Sequence, residues 1–183
     1  MAHDFSDPSG LYAMVGEFET PERVMQAAEE ARHAGFRVMD AYSPFPIHGM
    51  SEAIGFRDTK VPWTVMMFGI IGVTCGYSLQ FYTSVIDYPM NVGGKPLNSI
   101  PAFIPVSYET TILFAALSAA IGMFVYNKLP MPYHPIFNAK NFERATQDRF
   151  FLAIEAEDPK YDPDAIEKLM RSNGALEVSE CEY

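Results

Sequence analysis

Two histidines in matching short motifs are the first candidates for chemistry. His48 ends residues 44–48 (PFPIH), and His134 ends residues 130–134 (PMPYH). Proline fixes φ and restricts the residue before it, so each P-x-P-x-H motif is predicted to be stiff and extended. An imidazole in such a place has the chemistry to ligate a metal or haem iron, or to relay protons. The alternative is a histidine that hydrogen-bonds carbonyl groups of its own loop.

Glu109 is the one acid inside an apolar run, residues 103–126. A carboxylate there costs a few kcal/mol in a membrane unless it is protonated, paired or next to water. Leu113, Ala116 and Ala120 share its helical face, so we expect Glu109 to face protein rather than lipid. Two interpretations stay open: a protonatable group in a proton path, or a carboxylate that hydrogen-bonds its neighbours or a partner chain.

No cofactor site is predicted in this chain. Cys75 and Cys181 lie far apart, so they form neither a C-x-x-C metal motif nor a C-x-x-C-H haem attachment. We find no P-loop, dinucleotide-binding glycine motif or nucleophile elbow either. We therefore predict no catalytic, cofactor-binding or metal-ligating residue, so that any redox activity belongs to an assembly. The net charge of −10 argues against a nucleic-acid partner.

The segment around Glu109 is a predicted transmembrane hairpin, residues 61–127. Within it only Asp87, Lys95 and Glu109 are charged. Two helices, at about residues 63–86 and 103–126, are each long enough to cross a hydrocarbon core of ~30 Å. The lipid bilayer is therefore an expected partner. The flanks outside the pair carry five basic residues and the connecting loop, residues 87–102, carries one: Arg57, Lys60, Lys128, Lys140 and Arg144 against Lys95. This bias predicts a two-pass protein of the bacterial inner membrane, with a periplasmic loop and both termini cytoplasmic.

Both predicted helices carry small or polar residues at helical spacing. Gly72, Gly76 and Gln80 form one such stripe, and Ala116 and Ala120 belong to the small residues of the second helix. Small residues let helix backbones approach closely. The second helix offers more of this surface than one neighbour needs, so we expect further helices from other chains.

The two ends of the chain, residues 1–60 and 128–183, follow the same pattern. Each reads as a strand, a helix with proline at its start and glycine at its end, and a second strand. The strands are predicted at residues 11–18, 36–42, 149–155 and 175–179. Two β-α-β halves make a ferredoxin-like β-α-β-β-α-β domain. The predicted fold is thus an α+β membrane protein whose cytoplasmic domain is split by an inserted hairpin.

Four stretches of the chain resemble the ActD subunit family of bacterial alternative complex III. They are residues 42–49 (YSPFPIHG), 93–109 (GGKPLNSIPAFIPVSYE), 129–138 (LPMPYHPIFN) and 149–155 (RFFLAIE). With the two helices, the likeness covers residues 11 to about 169. The resemblance implies a cofactor-free integral membrane subunit of a respiratory quinol:electron-acceptor oxidoreductase. It also implies partners: two large quinone-interacting membrane subunits, a pentahaem cytochrome c with haem c, and an iron–sulfur protein.

The expected function is therefore support for the assembly and packing of the quinone-interacting subunits, and the chain is not an enzyme by itself. One alternative is direct participation in proton transfer through Glu109. Another is an unrelated membrane-anchored module that senses a small ligand, since a fold of this kind hosts many functions.

Overall fold

The computed structural model describes residues 10–56 and 60–183. They form two compact units, one of residues 10–56 and 132–183 and one of residues 60–131. In chain order the main elements are β1 (Leu11–Phe18), α1 (Pro21–Ala34), β2 (Met39–Tyr42), α2 (Met50–Ala53), α3 (Lys60–Phe81), α4 (Ile100–Tyr126), β3 (Phe150–Glu155), α5 (Pro163–Ser172) and β4 (Glu177–Glu182). A π-helical turn, Tyr82–Asp87, continues α3, and two 3₁₀ turns, Pro135–Asn138 and Phe142–Thr146, precede β3. The α+β class is confirmed.

The four strands of the first unit form one antiparallel sheet in the order β2-β3-β1-β4. β1 comes from the N-terminal end of the chain and pairs with β3 from the C-terminal end, with Val15 opposite Ala153. On its other side β1 pairs with β4, where Val15 lies opposite Ser179. The prediction that the two ends of the chain contribute to one sheet is confirmed.

One face of this sheet is covered by α1 and α5. Helix α1 begins with proline at its first position and ends at Gly35, whose φ of 101° suits glycine and whose N–H reaches the carbonyls of Ala31 and Arg32. Helix α5 packs closely on β1 at Gly16. A Cβ added to this glycine would lie only 2.8 Å from Sδ of Met170 on α5. The core on this face consists of Met14, Phe18, Val24, Ala27, Ala28, Ala31, Leu152, Ile154, Ile166, Met170 and their neighbours.

The other face is covered by residues 134–146, which we call the strap. It contains the two 3₁₀ turns and buries Ile136, Ala139 and Ala145. These side chains pack on Ala13, Val15, Phe151, Ala153 and Cys181. A sheet covered on one side only shows alternating burial. Because the strap covers the second side, β1 is buried at seven of its eight positions. The sequence analysis did not predict this cover.

A buried carboxylate holds the far end of the strap. Glu17 of β1 is 6% exposed. Asn141 Nδ2 donates to its Oε2 at 3.0 Å, and Arg149 Nε lies 3.3 Å from its Oε1. The nearest guanidinium nitrogen of Arg144 is 4.0 Å away. The charge of Glu17 is thus matched by cations from the strap and from the residue just before β3.

Strand β2 begins three residues later than predicted, at Met39. The backbone N–H groups of Arg37 and Val38 donate to Asp158 Oδ2 at 2.6 Å and 2.8 Å. These donors are therefore used by a side chain rather than by a sheet ladder.

Strand β4 is displaced by two to three residues from its predicted position. Ala175 belongs to the turn that follows α5, since its N–H donates to the carbonyl of Met170 at 3.0 Å. The strand then runs from Glu177 to Glu182, where it still pairs with Leu11. Its length is set by β1 beside it, which a local pattern does not reveal.

The second unit is a hairpin of two long apolar helices, as predicted. The segments Lys60–Asp87 and Ile100–Tyr126 have mean hydropathies of 1.4 and 1.6 and are long enough to cross a membrane. Of the residues in the most apolar 18-residue stretch of each segment, only 17% and 11% are buried within the chain. Both helices start three residues before the predicted position. Pro101 does not prevent this in α4, because the first N–H groups of a helix have no partner within it.

Candidate functional site

Gly72 and Gly76 lie where α3 and α4 meet, and both are buried. A Cβ on Gly72 would lie 2.7 Å from the carbonyl oxygen of Thr110 and 2.9 Å from Thr111 Cα. A Cβ on Gly76 would lie 2.1 Å from Thr110 Oγ1 and 3.1 Å from Ser107 Cα. The two backbones therefore approach so closely that no side chain fits between them at these points.

Gln80 continues this stripe and joins the two helices by hydrogen bonds. Its Nε2 donates to the carbonyl of Phe103 at 3.0 Å and to Ser107 Oγ at 3.1 Å, both on α4. The same nitrogen lies 3.1 Å from the carbonyl of Gly76 on its own helix. A half-buried amide with partners on both helices fixes how far one helix can slide along the other.

Glu109 lies on a different side of α4 from this contact. The α4 residues buried in the chain are Phe103, Ser107, Ser118 and Gly122. Glu109 follows Ser107 by two residues, which is about 200° further around the helix. Its side chain is exposed, as are Ala116 and Ala120. The structure thus brings Gly72, Gly76 and Gln80 together at the α3–α4 contact and leaves Glu109, Ala116 and Ala120 on the outer face of α4.

Glu109 also lies deeper in its helix than the sequence analysis placed it. Helix α4 begins at Ile100 rather than at residue 103. Glu109 is the ninth residue after Ile100, which corresponds to about 14 Å of helix rise. Within the part of the chain that the structure describes, its carboxylate forms no hydrogen bond or ion pair.

The two histidines have different environments, although their motifs match. His48 is exposed in a turn just before α2. His134 is half-buried at the start of the strap, where its Nδ1 accepts a hydrogen bond from the backbone N–H of Ile136 at 3.3 Å. Its ring meets that of Tyr12 edge to face, with centroids 5.4 Å apart. His134 Nε2 lies 3.5 Å from the Tyr12 hydroxyl.

Acidic and phenolic groups surround His134. The Tyr12 hydroxyl donates to Glu155 Oε1 at 3.2 Å. Burial raises the pKa of Tyr12, and the charge of Glu155 adds to this. Burial also raises the pKa values of Asp40 and Tyr42 on β2, while a positive charge on His134 acts to lower the pKa of Asp40. The two tyrosines therefore stay protonated at neutral pH. We call Tyr12, Asp40, Tyr42, His134 and Glu155 the His134 cluster.

The two cysteines lie in different environments. Cys75 is exposed on α3, and Cys181 is buried. Burial raises the pKa of Cys181 to about 11, and its Sγ donates to the carbonyl of Pro135 at 3.2 Å. Among residues 10–56 and 60–183, no group of three or more His, Cys, Asp or Glu side chains is arranged to hold a metal ion.

The position of His134 can be found from its sequence motif, but its partners cannot. Tyr12, Asp40 and Glu155 come from three different strands, and 122 positions separate Tyr12 from His134. One local signal was present: Asp40 is an acid inside a predicted strand, which is unusual unless its side chain has a polar partner. The partner itself depends on which strands pair.

Comparison with known families agrees with this architecture. The family model described as "Alternative complex III, ActD subunit" matches residues 12–180, from β1 into β4. No curated protein is significantly similar to the chain. The matched region includes both long helices, β2 and β3, and most of β1 and β4. The chain therefore belongs to the ActD subunit family of alternative complex III, a respiratory quinol oxidoreductase.

Proposed function

We propose that this subunit crosses the bacterial inner membrane twice and supports the assembly of the complex, without a redox cofactor of its own. The outer face of α4 is the observation that carries the proposal. Glu109, Ala116 and Ala120 are exposed there, while α3 is held by another side of the same helix. A face with small residues and one carboxylate suits a closely packed helix that carries a hydrogen-bond donor or a cation.

Membrane insertion is supported by the exposure of the hairpin. In a soluble protein, helices this apolar are buried, but most of the side chains of α3 and α4 are exposed in the chain. Several large apolar side chains are at least 60% exposed, among them Trp63, Leu79, Ile104 and Val125. Lipid and partner helices would cover them.

The orientation is supported by the basic residues outside the hairpin and by the shared sheet. Residues before α3 and residues after α4 pair in one sheet, so both ends of the hairpin leave on the same side. The charge bias assigns that side to the cytoplasm. The order β-α-β and β-α-β supports a ferredoxin-like domain, residues 1–60 and 128–183, split by the inserted segment 61–127.

The partners we propose are two large quinone-interacting membrane subunits, a pentahaem cytochrome c and an iron–sulfur protein. Haem c and the iron–sulfur clusters would reside in those subunits. Membership in the family implies other subunits of the complex, and the outer face of α4 offers a surface for a membrane-embedded one.

The test compares two replacements of Glu109 in the whole complex. Glu109→Leu removes the hydrogen-bonding group, and we expect association of this subunit to weaken about tenfold or more, since a hydrogen bond to a charged group contributes about 1.5–3 kcal/mol. Glu109→Gln keeps the shape and the hydrogen bonds and is the matched control. The measurement is the amount of haem-containing subunits that co-purify with the tagged variant from detergent-solubilised membranes. Unchanged recovery with Glu109→Leu would refute the contact.

The same variants separate assembly from proton transfer. If Glu109 carries protons, Glu109→Gln will assemble normally but lose proton translocation or change the pH dependence of quinol oxidation. If Glu109 holds a partner helix, Glu109→Gln will oxidise quinol at the wild-type rate with the wild-type pH profile. We favour the second result, because no other Asp, Glu, His, Lys or Arg lies between Lys95 and Lys128 to pass a proton on.

A further inference from the structure

The hydrogen bond from the backbone of Ile136 determines which ring nitrogen of His134 carries the proton. Ile136 N–H donates to His134 Nδ1, so that nitrogen carries no proton. The Tyr12 hydroxyl uses its single proton to donate to Glu155, so it can only accept from His134. The contact with Ile136 requires the neutral imidazole with its proton on Nε2, and the contact with Tyr12 is compatible with this form. A chain of donors then runs from His134 through Tyr12 to Glu155.

A second proton on His134 has to bind at Nδ1 and would break the contact with the strap. The new Nδ1–H would point at the N–H of Ile136 across 3.3 Å, so two donors would face each other. Ile136 is 2% exposed, and its N–H would lose its acceptor inside the protein. The cost of protonation therefore falls on the first 3₁₀ turn of the strap, Pro135–Asn138.

The charge of Asp40 favours a positive charge on His134. Among the described residues, Tyr12 on β1 contacts the ring, and the charge of Asp40 on β2 interacts with it. Tyr42 on β2 and Glu155 on β3 lie next to Tyr12. Cys181 on β4 contributes only a protonated thiol to this region. The carboxylate of Asp40 thus stabilises an imidazolium, and Glu155 lies on the other side of the Tyr12 hydroxyl. The half-buried ring can also exchange protons with solvent.

We propose that His134 is a proton-sensitive contact that holds the strap on the sheet when neutral and releases its first turn when protonated. The proton comes from solvent and binds Nδ1, and the hydrogen bond from Ile136 N–H is lost in exchange. The device involves only residues 10–56 and 132–183, so it does not depend on the proposed role of α4. It would make one face of this domain respond to the pH of the compartment that contains it.

The first test measures hydrogen exchange in peptides that cover Pro135–Asn138, in the purified complex at pH 8 and pH 5.5. Rates are divided by the intrinsic rate of each amide at each pH. We expect protection to fall about fivefold at pH 5.5, the factor that corresponds to the loss of one ordinary hydrogen bond. His134→Gln should abolish the pH dependence, because its amide can accept from Ile136 and donate to Tyr12 but does not titrate. His48→Gln is the matched control and should behave like the wild type.

A second measurement keeps the proposal testable if His134→Gln does not fold. In the full chain labelled with ¹⁵N-histidine, the nitrogen shifts report which ring nitrogen carries the proton. We expect the Nε2–H form of His134 at pH 8 and the doubly protonated form at pH 5.5, with the four histidines assigned by single replacements. An Nδ1–H form or an imidazolium at pH 8 would overturn the proposal. So would equal pH dependence of strap exchange in the wild type and in His134→Gln.

Discussion

Asp158 shows how a single carboxylate sets the limits of an element. It is 4% exposed. Its Oδ2 accepts from the N–H groups of Arg37 and Val38, and its Oδ1 accepts from that of Lys160 at 2.9 Å. Burial alone would raise the pKa of Asp158, but the three backbone donors outweigh it, and the pKa is lowered. The carboxylate therefore connects the loop after β3 to the segment that leads into β2.

We expect Asp158→Asn to lower the free energy of unfolding by about 2 kcal/mol at pH 7, because charge-assisted hydrogen bonds are replaced by fewer neutral ones. A carboxyl group whose pKa is lower in the folded state stabilises above the pKa of the unfolded chain and stops doing so as pH falls through the folded value. The difference between wild type and variant should therefore shrink below about pH 4. Thermal unfolding followed by circular dichroism between pH 3 and pH 8 measures it.

Glu29→Gln serves as the control for this measurement, since Glu29 is an exposed carboxylate on α1. Its effect should stay within about 0.5 kcal/mol at every pH. If Asp158→Asn and Glu29→Gln gave the same small change, the three backbone hydrogen bonds would contribute nothing measurable to stability.

At the scale of elements, the contact between α3 and α4 depends on which small residue faces which backbone. Gly69, Gly72 and Gly76 lie on the same helix. A Cβ on Gly69 would meet Thr111 Cγ2 at 3.8 Å, which is ordinary van der Waals contact. A Cβ on Gly72 would overlap the backbone of Thr110, which cannot move without moving the helix. The three glycines are therefore not equivalent.

We expect Gly72→Ala to destabilise the helix pair by about 1–3 kcal/mol, the usual cost of inserting a methyl group into a closed contact. Gly69→Ala should cost nothing, because its new methyl group has room. Reversible unfolding in mixed detergent micelles, followed by the near-ultraviolet signal of Trp63 on α3, compares the two. Equal stabilities would mean that α3 and α4 do not approach as closely as the structure has them.

At the scale of the whole molecule, the chain forms a single sheet from two segments. One precedes the long apolar hairpin in the sequence, and the other follows it. β1 is hydrogen-bonded only to β3 and β4, and β2 pairs with β3 within the described residues. The N-terminal segment thus lacks sheet partners until the C-terminal segment has been made. Both segments must therefore be on the same side of any membrane that the hairpin crosses.

This requirement leads to a labelling prediction for the topology. In a Cys75→Ser background, Val92→Cys places a thiol in the loop between the helices, where Val92 is 68% exposed. Lys168→Cys places one on the exposed side of α5. A membrane-impermeant maleimide added to intact spheroplasts should label Val92→Cys and not Lys168→Cys, while both should react after lysis.

The buried native Cys181 should stay unreactive in both variants because of its raised pKa. Labelling of Lys168→Cys alone in intact spheroplasts would reverse the orientation. Labelling of both there would contradict a shared sheet on one side of the membrane.

Local chemistry along the chain determined the class and location of most elements. Proline after a capping residue starts α1 and α5, Gly35 ends α1, and Gly174 follows α5. A run of more than twenty residues without charge marks α3, and a run of similar length with Glu109 as its single charge marks α4. Such signals act within a few residues, so they can be recognised without knowing which elements pack against each other. The spacing of Gly72, Gly76 and Gln80 likewise marked one side of α3 before any partner was known.

Only the tertiary structure decided which faces meet. Periodicity shows that α4 has small residues on several sides, but not that Ser107 and Ser118 face α3 while Glu109 faces away. It does not show that the strap covers the second face of the sheet, or that His134 contacts Tyr12. The matching motif around His48 leads to an exposed ring instead. Contacts between residues more than a hundred positions apart depend on strand pairing, and a local sequence pattern carries no information about it.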